Sequence, residues 1–509
     1  MDVIDIGLVL NVIFSEIGNM LKKCPPTLLL LFFLVAATES QAHSFGVVYT
    51  LPLPFWLYAW GAVAALVTSF LVLIFVDRER LLTREGSTRD IGDTALIKLL
   101  KRWQLLKLLK LFSLGSLLFC IATGFWGVRS PYGNFNMTFF WIVFVLGFSY
   151  ATVVFGNLYA AINPWQFMID ILARIKPSLL RGCVGYPSFL AFWPALFLYI
   201  GFIWFELFAQ NTPFTLAVLL TGYTALNILG VALIGRHNWF EYCEFFSVFF
   251  RLLAVMAPID YKPSDAHGEG GHLRLRIPFS GVLAEPPKQL SLLVFVLFML
   301  SSTAFDGLHE TVVWKKLFWL DFYHGFLQYW TDTNPFVAFA AMSRLYSYWQ
   351  GLCLLLSPFL YLLVFAAFIA MGKFITKSPV PVKVLLFRFS YSLLPIALVY
   401  HVAHYYTLIQ TQGIKIVSLV SDPFGWGSNW FGTANWLQRV FIPDTSTTWH
   451  VQLTLIIAGH IASVYVSHVL ALRSFVSSRN ATLSQLPLLL LMLVFTVSGL
   501  WILSQPIGS

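Results

Sequence analysis

Along this chain the polar residues collect in short clusters between long apolar runs. A helix that crosses a bilayer needs about 20 mostly apolar residues. Ten stretches meet that need, at roughly 53–76, 111–128, 138–160, 188–208, 214–235, 290–305, 350–371, 385–411, 451–472 and 486–506, the sixth being short. The pattern predicts an all-α, polytopic helical membrane protein with about ten transmembrane helices.

Ahead of these spans, residues 1–42 read as a signal peptide or an N-terminal anchor. Lys22 and Lys23 precede the apolar run from Thr27 to Ala37, and Ser40 and Ala42 supply the small residues that a signal peptidase reads. Cleavage there leaves His43 at the new N-terminus and 43–509 as a single transmembrane helical domain. An uncleaved anchor is the alternative.

Composition agrees with a lipid-facing chain. Of 509 residues, 58% are hydrophobic and 11% charged, against about 25% charged in a soluble domain. The net charge of +9 raises the question of nucleic acid, and the placement of the basic residues answers it. The loops 77–110, 161–187, 236–289, 372–384 and 473–485, with Arg388, hold 24 of the 32 Lys and Arg. The alternate loops hold six: Arg129, Lys315, Lys316, Arg344, Lys415 and Arg439. Basic loops stay in the cytoplasm, so the first set is expected inside a bacterial cytoplasmic (inner) membrane, with both mature ends outside. The lipid bilayer is then the expected partner, nucleic acid is not needed, and other membrane subunits are left open. The five cysteines have no ligand spacing and read as small buried hydrophobes.

Two outer loops, 306–349 and 412–450, are rich in Trp, Tyr and Phe, as suits segments lying at the water–lipid boundary. In the cytoplasmic loop 236–289, the stretch from His267 to His272 reads as a glycine-rich linker or a metal-binding tract. The segment from Trp239 to Pro258, with Glu244 and Arg251, is expected to lie on the cytoplasmic face. Asn163, Pro164 and Trp165 are expected to end the third span and anchor its boundary. No Walker loop, dinucleotide fingerprint, GxSxG elbow or HExxH sequence is present.

Ionisable groups inside spans are costly and mark candidate functional sites. His401 and His404 lie in the eighth span, spaced i, i+3 on one helix face, and His460 and His468 in the ninth. Counted from the outer ends at about 1.5 Å per residue, His404 lies roughly 10 Å deep and His401 and His460 roughly 15 Å. These three can therefore meet at one level, while His468 is too far along. Such a trio with an open position suits a divalent transition metal (zinc, copper or manganese); two of them could instead clamp the iron of haem b, or each could simply bond neighbouring helices. Asp306 and His309, again i, i+3, close the sixth span beside Glu310. His309 joins the candidate metal ligands, and Asp306 is the candidate catalytic proton acceptor. His43, once exposed, would offer an amine and an imidazole together.

Several motifs are familiar as a set: residues 42–46 (AHSFG), 51–54 (LPLP), 56–58 (WLY), 163–165 (NPW), 305–307 (FDG), 400–405 (YHVAHY), 421–423 (SDP) and 431–433 (FGT). With Gly459-His460, Ser467-His468, Leu486-Pro487 and Leu500-Trp501 they run across nearly the whole chain after residue 42. Together they resemble the bacterial polytopic membrane proteins known as fenitrothion hydrolase. The resemblance implies hydrolysis of organophosphorus triesters, to a phenol and a dialkyl thiophosphate, and carries no established catalytic residues with it. A His-bound metal would activate water for that reaction, and the aromatic outer loops would hold the aryl group. The rival expectation is a non-enzymatic copper-handling or haem-bearing membrane protein using the same histidines; a structural partner of another subunit is the third.

Overall fold

A computed structural model of the chain describes residues 51–76, 88–92, 94, 104–262, 272–283, 286–331, 335–436 and 444–505. The leader 1–42, His43 and the stretch around His267 lie outside the described residues.

Among the described residues the structure is 78% helical with almost no strand, the outcome expected where lipid cannot satisfy exposed backbone groups. The principal helices are α1 (Phe55–Ile74), α2 (Leu105–Trp126), α3 (Phe135–Phe155), α4 (Trp193–Phe208), α5 (Pro213–Ile234), α6 (Phe245–Ala254), α7 (Leu290–His309), α8 (Pro335–Thr376), α9 (Val382–Ser421), α10 (Thr445–Ser474) and α11 (Ser478–Ser504). Among the described residues nine of them, all except α4 and α6, are long and apolar enough to cross a membrane. The ten expected spans correspond to these nine and α4. With 16 residues, α4 reaches about 24 Å, short of the roughly 30 Å hydrocarbon core.

Helix starts follow local chemistry. The Thr212 hydroxyl and the Thr215 side chain cap one another's backbone N–H groups at the start of α5, with Pro213 in the first turn. At the start of α10, Asp444 accepts from Thr447 N at 2.7 Å.

Three helices form the centre. The apolar windows of α7, α10 and α9 are 72%, 67% and 61% buried, against 17% in α2 and 22% in α1, so the inner trio is also the one that carries Asp306 and the four intramembrane histidines. Small residues let these helices meet closely. Gly459 of α10 leaves room for Val399 of α9, and a Cβ on Gly499 of α11 would lie 2.9 Å from Tyr400. On the outside, Phe112, Trp126 and Trp60 are about 70% exposed, a surface suited to lipid rather than water.

One end of the bundle carries a small antiparallel sheet, β1 (Arg89–Asp90), β2 (Ile259–Lys262) and β3 (His272–Leu275), in the order β1-β3-β2. Asp90 and Asp260 both pair with Arg274, joining the loop after α1 to the loop after α6. The other end carries the aromatic segments. There Val128 N and Phe135 N donate to the carbonyls of Phe424 and Pro423, which fastens the turn at 422–427 over the α2–α3 connection.

Three sequence expectations are revised. The loop 306–349, expected as interfacial helices and turns, is shorter than expected, because residues 335–349 are the first turns of α8; Trp314 and Phe318 pack with tilted rings against Trp349 at 4.5 and 5.2 Å. Trp165 is no boundary anchor: it is 1% exposed, and its indole N–H donates to Thr224 at 2.9 Å. The segment from Trp239 to Pro258 does not lie on a face. It leaves α5, turns inside the bundle at Glu244, and returns through α6 to β2 at the same end, with Phe245, Phe246, Val248 and Phe250 all buried. Its aromatic density explains the burial, because Phe245 and Phe246 find Tyr199, Phe202, Phe144 and Trp165 as ring partners.

Candidate functional site

Near the aromatic end, the last turn of α7 meets the middle of α9 through Asp306. The His404 Nε2 stands 2.8 Å from Asp306 Oδ2, and the Tyr405 hydroxyl donates to the same oxygen at 2.7 Å. The His309 Nε2 approaches the other oxygen, Oδ1, at 3.6 Å, and its Nδ1 lies 3.5 Å from Glu310 Oε1. Lys315 completes this rim at 3.4 Å from Glu310. Side chains at i, i+3 share a helix face, which is why Asp306 and His309 turn toward α9 together. In α9, His404 and Tyr405 are successive residues whose side chains both reach Asp306.

The network continues inward. Tyr405 also lies 3.3 Å from Glu206 Oε1, in the last turn of α4. A phenol has one proton to donate. When Asp306 holds it, the Glu206 contact is complete only if Glu206 carries a proton of its own. Tyr405 is thus a hydroxyl bridge between two carboxylates. One turn earlier in α9, His401 Nδ1 meets the Tyr150 hydroxyl of α3 at 3.3 Å, and the His401 and Tyr405 rings touch edge to face at 4.9 Å.

Glu206, Asp306, His401 and Tyr405 line a cavity of about 20 Å³ together with Phe202, Phe245 and Phe246. That volume admits a water molecule. His404 is 16% exposed, as is Asp306, while His309 is 6% exposed, so the Asp306–His404 pair is more accessible than His309.

The sequence-predicted residues therefore part company. Asp306, His404 and His309 come together, with His401 one turn away. His460 is buried, with Nδ1 at 2.8 Å from the Ile456 carbonyl of its own helix and Nε2 without a hydrogen-bond partner. His468 pairs with Gln485 at 3.3 Å. The candidate metal set His401, His404, His460 and His309 does not form one ligand shell: His309 and His404 are directed at Asp306, and His401 at Tyr150. Among the described residues no group of three or more His, Cys, Asp or Glu is arranged to hold a metal ion.

Three members of the site were missed by the sequence reading. Glu206 is an ionisable residue in an apolar stretch and could have been found by the rule that picked the histidines. Tyr405 and Tyr150 carry no such signal, because tyrosine is common in this chain, with 20 in all.

Comparison with protein-family models, with curated proteins and with solved structures gives no match.

Proposed function

We propose that this multi-pass membrane protein performs acid–base chemistry at the Asp306–His404 pair, and that its reaction is the hydrolysis of an organophosphorus triester, the class that its motif resemblance implies. The observation that carries the reading is the continuous hydrogen-bonded chain His404–Asp306–Tyr405–Glu206. Intramembrane acidic, phenolic and imidazole groups linked in this way are expensive to bury and serve proton transfer.

In this reading Asp306 orients His404 through Nε2, leaving Nδ1 as the free base, the division of labour of a carboxylate–imidazole pair. His404 Nδ1 takes a proton from water as the water oxygen bonds to phosphorus. The phosphorus–aryloxide bond breaks, and the leaving phenolate takes up a proton to become the phenol. Glu206 in its acid form supplies that proton through Tyr405, and the proton that His404 took from water then restores Glu206. The aromatic lining of the cavity favours an aryl leaving group, and admission of a triester requires the site to open. The basic loops orient the strand end to the cytoplasm of a bacterial inner membrane, so the site faces outward.

The test is release of nitrophenol from an aryl phosphotriester by the purified full chain, with metal analysis and a visible spectrum of the same sample. Asp306→Asn deprives the base His404 of its orienting carboxylate and is expected to lower the rate by about 10²–10⁴-fold. An unchanged rate in that variant overturns the reading. Stoichiometric copper or a Soret band, with no triester turnover, would instead establish the copper-handling or haem-bearing alternative.

A further inference from the structure

A second buried acidic group lies beyond the site described so far. Glu244 is fully buried and forms the N-terminal cap of α6. Its carboxylate accepts from Phe246 N at 3.2 Å, Ser247 N at 2.8 Å and Ser247 Oγ at 2.6 Å. From α5 the Tyr223 hydroxyl donates to it, and Asn163 Nδ2 reaches it at 3.5 Å. No ion pair joins it to Lys, Arg or His among the described residues. Tyr159, 1% exposed, places its hydroxyl beside the same carboxylate.

Capping alone does not explain this group. An Asn, Ser or Thr caps a helix as well as an acid does, and a buried charge without a cation is costly. Two further facts point to proton traffic. The residues that follow Glu244, Phe245 and Phe246, line the cavity that Glu206, Asp306, His401 and Tyr405 also line, whereas Glu244 does not. The same two rings pack edge-on against Tyr223, at 5.5 and 5.9 Å, and so stand in contact with both polar centres.

We propose that Glu244 is a second proton-carrying group, and that Phe245 and Phe246 form an apolar gate between it and the Asp306–Glu206 centre, giving the bundle a gated proton path. The inference rests on proton exchange at the Asp306 centre. A proton arriving through cavity water converts the Glu244 carboxylate to the acid, and its release toward the strand end restores the carboxylate; no other reactant is required. Apolar constrictions of this kind gate by excluding water. Burial lifts the Glu244 carboxyl above its ordinary value, in the direction that favours proton uptake.

The experiment is proton flux through the full chain in phosphatidylcholine liposomes loaded with a pH-sensitive dye, driven by a potassium diffusion potential. Glu244→Gln is expected to reduce the flux at least tenfold and Phe246→Ala to raise it. Tyr223→Phe, which keeps the ring packing, is expected to reduce it as well and serves if Glu244→Gln does not fold. If Asp306→Asn abolishes flux while Glu244→Gln and Tyr223→Phe conduct like the parent, the Glu244 proposal fails and the Asp306 reading stands. If the parent conducts no more than empty liposomes, the path is overturned, and the triester assay alone judges Asp306.

Discussion

The Nε2 of His404 and the Oδ2 of Asp306 are 2.8 Å apart although 98 residues separate them in the chain. Each comes from a central helix, and Asp306 is held further by His309 of its own helix and by the Tyr405 hydroxyl of the other. The pair is therefore a product of how α7 packs on α9, and its consequences can be tested one contact at a time.

Tyr405 is the only described link between Asp306 and Glu206. Tyr405→Phe keeps the ring and removes the hydroxyl, leaving both carboxylates short of a partner. A loss of about 1–3 kcal/mol is expected for stranding such buried groups, read as a lower unfolding temperature in detergent. Triester turnover should fall further than stability does, because the proton link is cut. Parent-like turnover in a folded Tyr405→Phe protein would remove Glu206 from the mechanism.

Gly307 sits between the site residues and the last helix. A Cβ there would meet Ile502 Cγ2 at 2.5 Å and lie 3.5 Å from His404 Cε1. Gly307→Ala is expected to cost about 1–3 kcal/mol through overpacking against Ile502. At Gly61 of α1 a Cβ meets nothing within 4 Å, so Gly61→Ala should be neutral or stabilising by about 0.5–1 kcal/mol. Equal responses of the two variants in thermal unfolding would contradict the packing described for Gly307.

His460 bonds its own helix and stands apart from the Asp306 network. His460→Leu is expected to leave triester turnover and metal content at parent levels, whereas His404→Leu should abolish turnover. Loss of a stoichiometric metal in the His460→Leu protein, measured by elemental analysis, would restore the three-imidazole centre.

Glu244 predicts a pH dependence of stability with a definite sign. Burial raises its carboxyl above 4.5 in the folded chain. Below that value the group is protonated in both states, and the stabilising preference of the folded chain for the protonated acid is fully present. As pH rises, the unfolded chain ionises first, so stability falls until the folded group also loses its proton. The parent should therefore unfold at lower temperature as pH goes from about 5 toward 8, and Glu244→Gln should show a flatter profile. Parallel profiles would show that Glu244 is already ionised in the folded protein.

The sequence by itself determined the class of fold and the position of nearly every span, because the need for some twenty apolar residues is local and can be read from one stretch of chain. It also located Asp306, His309, His401 and His404, since a charge or imidazole within an apolar run stands out wherever it falls. What it could not determine was which of them face one another. Helical depth placed His460 level with His401, but depth does not say which groups an imidazole bonds, and His460 Nδ1 bonds the Ile456 carbonyl of its own helix. The aromatic segment around Glu244 misled for a related reason: an amphipathic, ring-rich stretch suits an interface and an interior equally, and only the packing of Phe245 and Phe246 against Tyr199, Phe202 and Trp165 decided for the interior. The Tyr405 bridge to Glu206 likewise belongs to the tertiary structure, because a single hydroxyl becomes informative only once α4, α7 and α9 bring two carboxylates to it.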